Sequence, residues 1–151
     1  MSLMAYTIRE AAEKSGICPY TIRFYDQQGL LPFMNRNRAG VRQFSDLDME
    51  CLEIIRMLKA TGMKIKDIKE YLDLCVLGDN ALERRLQFMR DHKANVRRQM
   101  DAYQKYMEII GYKIWYYETA IEAGTEYVHD RYYNDSGETS RERYLREFHA
   151  N

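Results

Sequence analysis

Arg36, Arg38 and Arg42 place three guanidinium groups within seven consecutive residues. A guanidinium is a flat, permanently charged fork that matches the oxygens of a phosphate. Phosphate binding is the first chemistry this chain suggests, although a basic cluster of this size is equally an ordinary solvated face. Other chemistries lack their parts. Cys18, Cys51 and Cys75 are odd in number and far apart, so they form neither a disulfide framework nor a CxxC metal site. His92 and His129 complete no thiolate site, and no metal or cofactor is expected. There is no HExxH, no Gly-rich phosphate loop and no plausible nucleophile–base pair, so the chain does not read as an enzyme. The remaining functional groups are aromatic. Most of the 13 tyrosines follow position 100. Tyr112, Trp115, Tyr116 and Tyr132 form a candidate effector site, because ring walls with hydroxyl handles suit an apolar or cationic organic ligand. The alternative is that a C-terminal tail folds back and these rings simply pack.

Composition narrows the class. The 151 residues carry a formal net charge of zero, so bulk charge neither supports nor excludes nucleic acid. The first 44 residues are different, with six basic side chains against three acidic ones. No signal peptide and no apolar run near the ~18–20 residues of a membrane span is present. The expected setting is the cytoplasm, without a membrane partner.

The elements that must position these groups are mostly helical. Two prolines and eight glycines leave few interruptions. Thr7 with Glu10 forms a capping box for a short helix ending near Ser15-Gly16. Pro19 opens a second helix that ends at Gln28-Gly29, giving a helix-turn-helix pattern; Phe24 is expected in its core. Phe33 to Phe44 reads as a two-stranded wing turning over Asn37 to Gly40. Ser45 caps a helix with Leu47, Cys51, Leu52, Ile54, Ile55 and Leu58 on its apolar face, and another helix follows from about Ile65 to Val76. Leu82, Leu86, Met89, Lys93, Val96, Met100, Tyr103, Met107, Ile110, Ile114, Tyr117 and Ile121 then alternate in steps of four and three. That is a coiled-coil seam on a long helix, and its narrow apolar stripe needs a partner, most simply a second copy. Thr139 and Glu142 announce a last short helix after Gly124. The expected fold is therefore mainly α: a winged helix-turn-helix domain at 4–77, a dimerisation helix at 78–123, and a C-terminal tail at 124–151.

Tyr6-Thr7-Ile8-Arg9-Glu10-Ala11-Ala12, Tyr20-Thr21-Ile22-Arg23-Phe24-Tyr25-Asp26-Gln27-Gln28-Gly29-Leu30-Leu31 and Gly40-Val41-Arg42-Gln43-Phe44-Ser45 resemble the DNA-binding domain of the MerR family of bacterial transcription regulators. The resemblance runs from Tyr6 to about Leu74. It implies a winged helix-turn-helix, an antiparallel dimer through the long helix, and a variable effector region. It also implies binding to a palindromic operator in an overlong promoter spacer, which the dimer distorts for RNA polymerase in response to an effector. On this resemblance the arginine cluster belongs to the wing and contacts phosphate. A recognition helix enters the major groove by its N-terminal residues, which places Pro19, Tyr20, Thr21 and Arg23 toward DNA. Tyr25 is expected to reach a phosphate through its hydroxyl, and Thr7 through its hydroxyl and nearby amides. The effector is not readable. Metal-sensing relatives resemble one another in cysteine positions that this chain lacks. Electrophile sensing through Cys51 or Cys75, and a dimerisation scaffold without DNA binding, are the alternatives. With 27 residues after Gly124, no separate drug-binding domain is expected.

Overall fold

The structure, a computed structural model, describes residues 5–130 and 136–149. It groups into two compact units, Met1–Lys93 and Ala94–Asn151.

The first unit begins with helix α1, Ile8–Ser15. Thr7 caps it: its hydroxyl accepts the Glu10 amide, and the Glu10 carboxylate accepts the Thr7 amide at 2.7 Å. Gly16 ends α1 with φ +68°, a left-handed conformation that suits glycine. The Arg56 guanidinium covers that turn and donates to the Ser15 carbonyl at 3.0 Å. Helix α2 is Pro19–Gln27, with proline in the first turn where no amide is missed. Strands β1, Asn35–Arg36, and β2, Arg42–Gln43, pair antiparallel with Arg36 opposite Arg42. The Asn37 side-chain oxygen accepts the amides of Ala39 and Val41 and so builds the turn of this wing. The Tyr6 and Phe44 backbones exchange hydrogen bonds of 2.7 and 2.9 Å, which ties the wing to the entry of α1.

Helices α3, Asp46–Ala60, and α4, Ile65–Val76, complete the wall. A second capping box, Ser45 with Asp48, starts α3. Ala11, Ile22, Leu30, Phe44, Leu52, Ile55, Leu58 and Ile68 have no solvent exposure and form the core. One expected core position of α3 fails. Leu47 lies on the first turn of α3 with 46% of its surface in water. Its angle on the helix differs from that of Cys51 and Ile55, and the buried side chain of that turn is Asp48.

A 3₁₀ turn over Gly78–Ala81 leads into helix α5, Leu82–Ala123. Phe88 and Met89 near its start pack on the first unit's core. The His92 ring is buried there, its Nε2 lying 2.8 Å from the Thr61 hydroxyl.

The second unit contains the remainder of α5, a 3₁₀ turn over Glu126–His129, and helix α6, Ser140–Phe148. The Thr139–Glu142 capping box starts α6 as expected. Tyr144 of α6 packs against Tyr112 and Trp115, with ring centroids 5.5 Å apart in both cases. Trp115 also donates its indole N–H to Glu147. Among the described residues no helix is long and apolar enough to cross a membrane.

Candidate nucleic-acid interface

The groups that could meet DNA lie on α1, α2 and the wing. At the start of α2, Tyr20 is 80% exposed and Pro19 and Thr21 are half-buried. The N-cap of α2 is Cys18, which is exposed, with its sulfur 3.1 Å from the Thr21 hydroxyl. That hydroxyl and the backbone amides of the first turn hold the Cys18 thiol below its usual ionisation range. Arg23 is exposed and has no hydrogen bond or ion pair among the described residues.

Two neighbours on α2 exchange places relative to expectation. Phe24, expected in the core, is 39% exposed, whereas Tyr25 is 7% exposed and belongs to the core. Successive helical residues point about 100° apart, so only one of two adjacent rings can face inward. Burial raises the Tyr25 phenol above its usual range. Any phosphate contact through that hydroxyl rests on the small part of the residue still at the surface. The Thr7 hydroxyl is also committed, donating to the Glu10 carboxylate at 2.9 Å.

The three wing arginines are not equivalent. Arg42 donates through Nε to Asp26 Oδ2 at 2.8 Å, and Arg36 donates through Nη2 to the same oxygen at 3.2 Å. Arg36 also donates from Nη1 to the Gly40 carbonyl at 2.9 Å, closing the wing turn. Arg38, at the tip, is exposed and makes no ion pair among the described residues. Sequence reasoning missed Asp26, which is separated from these arginines by ten and sixteen positions.

The seam residues of α5 split into two groups. Met89 and Val96 are half-buried. Leu82, Leu86, Met100, Tyr103, Met107, Ile110, Ile114, Tyr117 and Ile121 are each more than half exposed, and Lys93 is exposed among them.

Of the candidate effector residues, Tyr112, Trp115 and Tyr116 come together under the tail, while Tyr132 lies outside the described residues. The faces of these rings already carry cations of the same chain. Arg141 stands 4.8 Å from the Tyr112 centroid, Arg143 5.5 Å from Trp115, and Lys113 4.7 Å from Tyr116. His129, absent from the expected site, stacks on Tyr116 at 4.0 Å. Its Nε2 lies 2.7 Å from the Tyr116 carbonyl oxygen, a contact that requires a proton on Nε2. Nδ1 is buried with no partner. No group of three or more His, Cys, Asp or Glu residues able to hold a metal occurs among the described residues. Burial pushes the Cys51 thiol up to about 12, and Cys75 is half-buried beside Tyr71.

Comparison with known proteins places this geometry. Residues 6–75 match the MerR HTH family regulatory protein domain, and residues 49–109 match the MerR DNA-binding region. An uncharacterised HTH-type transcriptional regulator of Haemophilus influenzae is 40% identical over 122 residues, covering 81% of this chain and 90% of the relative. Among solved structures, HiNmlR, described as a MerR family regulator lacking the sensor domain and bound to promoter DNA, is 40% identical with a TM-score of 0.74. That match covers 82% of this chain and 98% of HiNmlR. A MerR family regulator from Listeria monocytogenes is 31% identical with a TM-score of 0.73, covering 83% of this chain and 95% of that one.

Proposed function

We propose that this chain, which belongs to the MerR family of helix-turn-helix regulatory proteins, works as a homodimer that grips a two-fold symmetric operator. Membership makes it a transcriptional regulator that binds promoter DNA, in a family that is not of enzymes. The dimer is carried by one observation. Seven successive seam residues from Met100 to Ile121 each leave 52% or more of their surface in water in the single chain. A contiguous apolar stripe of this length is rare on a monomer and is the usual mark of an interface.

On this reading residues 4–77 hold DNA, residues 78–123 pair antiparallel with a second copy, and residues 124–151 form the tail. Each copy offers one half-site the same set of groups. Pro19, Tyr20, Thr21 and Arg23 lie toward base edges, and Thr7, Tyr25, Arg36, Arg38 and Arg42 toward phosphates. The dimer distorts a palindromic promoter site for RNA polymerase, and the setting is the cytoplasm, where that polymerase works. An effector, an organic small molecule or a stress signal, biases one dimer arrangement over another. Its candidate site is the Tyr112, Trp115 and Tyr116 cluster, where a ligand would have to replace Arg141 and Arg143 of α6 and Lys113 of α5. Electrophile sensing through Cys51 has the burial of that thiol against it.

Sedimentation of the full chain tests the central point. At micromolar concentration it should run as two copies. Ile110→Asp should run as one and lose at least about tenfold in affinity for a duplex selected by the unaltered protein from random DNA, since a charge in the seam costs several kcal/mol. A single-copy mass for the unaltered chain would overturn the proposal.

A further inference from the structure

We propose that Asp26 is a positioning residue for DNA binding: it fixes the wing against the recognition helix and presents Arg42 to phosphate. The inference rests on the reading of α2 and the wing as the DNA face. By charge alone Asp26 is out of place, because a carboxylate on that face repels phosphates. Its geometry supplies a reason. One oxygen, Oδ2, accepts from both strands of the wing, at 2.8 Å from Arg42 on β2 and 3.2 Å from Arg36 on β1. The Asp26 and Arg42 side chains are only 18% and 21% exposed. A partly desolvated pair of this kind is held more firmly than a surface ion pair.

The wing needs such a tie. Its ladder is two residue pairs long, too short to define a direction by itself. Its other anchor, the Tyr6–Phe44 exchange, lies at its base. Asp26 adds a contact from α2, so the two DNA-facing elements keep a fixed spacing. The manner of pairing also matters. Arg42 spends Nε on the carboxylate and leaves both η nitrogens without a hydrogen bond among the described residues. That free edge carries two parallel N–H groups and can take a phosphate bidentately. Holding the group through Nε orders it before DNA arrives, so less side-chain freedom is lost on binding.

The test compares Asp26→Asn, Asp26→Glu, Arg42→Lys and Asp26→Asn/Arg42→Lys in the full chain. The probe is the random-selected duplex, with affinity measured across salt concentrations and folding checked by thermal melts. Electrostatics alone predicts that Asp26→Asn tightens binding. Positioning predicts the opposite sign: about tenfold weaker binding, and a log–log salt slope shallower by about one per protomer as the Arg42 phosphate contact is lost. Asp26→Glu keeps the carboxylate and should recover most of the slope. Arg42→Lys keeps the charge but not the fork, and the double variant should bind no more weakly than Arg42→Lys alone. Equal or tighter binding by folded Asp26→Asn overturns the inference, as do additive losses in the double variant. If Asp26→Asn fails to fold, an unchanged slope in Arg42→Lys overturns it. Failure of the unaltered chain to select any duplex would instead sink the DNA-face reading itself.

Discussion

Gly111 and Tyr144 meet where α5 has no side chain: a Cβ at position 111 would lie 3.2 Å from the Tyr144 hydroxyl oxygen. A glycine inside a long helix is unfavourable by about 1 kcal/mol relative to alanine. Here its absence of bulk lets α6 lie against α5, with Tyr144 packed on both Tyr112 and Trp115. In the same layer, Tyr112 and Ser140 join hydroxyls.

Gly111→Ala should therefore gain little stability in the intact chain and about 1 kcal/mol in a Tyr144→Ala background, where only helix propensity remains. Thermal melts of the four chains give the difference. Gly111→Leu should lift α6 and shift Trp115 emission to the red, since Trp115 is only 7% exposed as packed. Equal gains from Gly111→Ala in both backgrounds would mean that Tyr144 does not depend on the glycine.

The thiols should separate by reactivity. With iodoacetamide at pH 8, Cys18 should be labelled first, because it is exposed and its thiol is shifted toward the thiolate by Thr21. Cys51 should react only at the rate of unfolding. Its burial also sets a pH dependence. The unfolded thiol ionises near pH 8.5, the folded one at about 12, so between those values only the unfolded chain sheds this proton. Stability then falls as pH rises through that window. Denaturant melts from pH 7 to 10 should show the decline, and Cys51→Ala should make it shallower. Rapid native labelling of Cys51 would contradict the packing around it.

Arg23 and Arg38 are both exposed, on α2 and at the wing tip, and should fail differently. Arg23→Ala should cost about 1–3 kcal/mol on the selected duplex and flatten the preference at one base position. Arg38→Ala should weaken all duplexes alike and reduce the salt slope by about one per protomer. Binding titrations with single-base variants of the duplex distinguish them. The same salt slope and the same sequence preference for both variants would refute this division of labour.

Much of the fold was legible because it is local. Capping pairs three residues apart, glycines at helix ends and a four–three apolar rhythm each act within a turn or two, and the elements start and stop where these signals stand. What depends on distant partners was not legible. Nothing around Asp26 announces that it holds Arg36 and Arg42, since that pairing exists only after the wing has folded onto α2. The exchange of Phe24 and Tyr25 has a similar origin: both rings suit a core, and packing against the other helices decides between them. His129 stood in a segment with no periodicity, so its stacking on Tyr116 left no trace in the sequence.

The end of α5 is apolar on two opposite sides. Gly111, Tyr112, Trp115, Tyr116, Thr119 and Ala120 turn toward the tail, while Ile110, Ile114, Tyr117 and Ile121 stay bare. At 100° per residue these two sets leave only slender hydrophilic margins, held by Lys113 and Glu118. Mutational drift has little room in this segment. If the bare stripe is the proposed dimer seam, most single changes there disturb either the chain's own fold or that pairing, so a library randomised over 110–121 should return far fewer functional clones than one spread over the first three turns of α5.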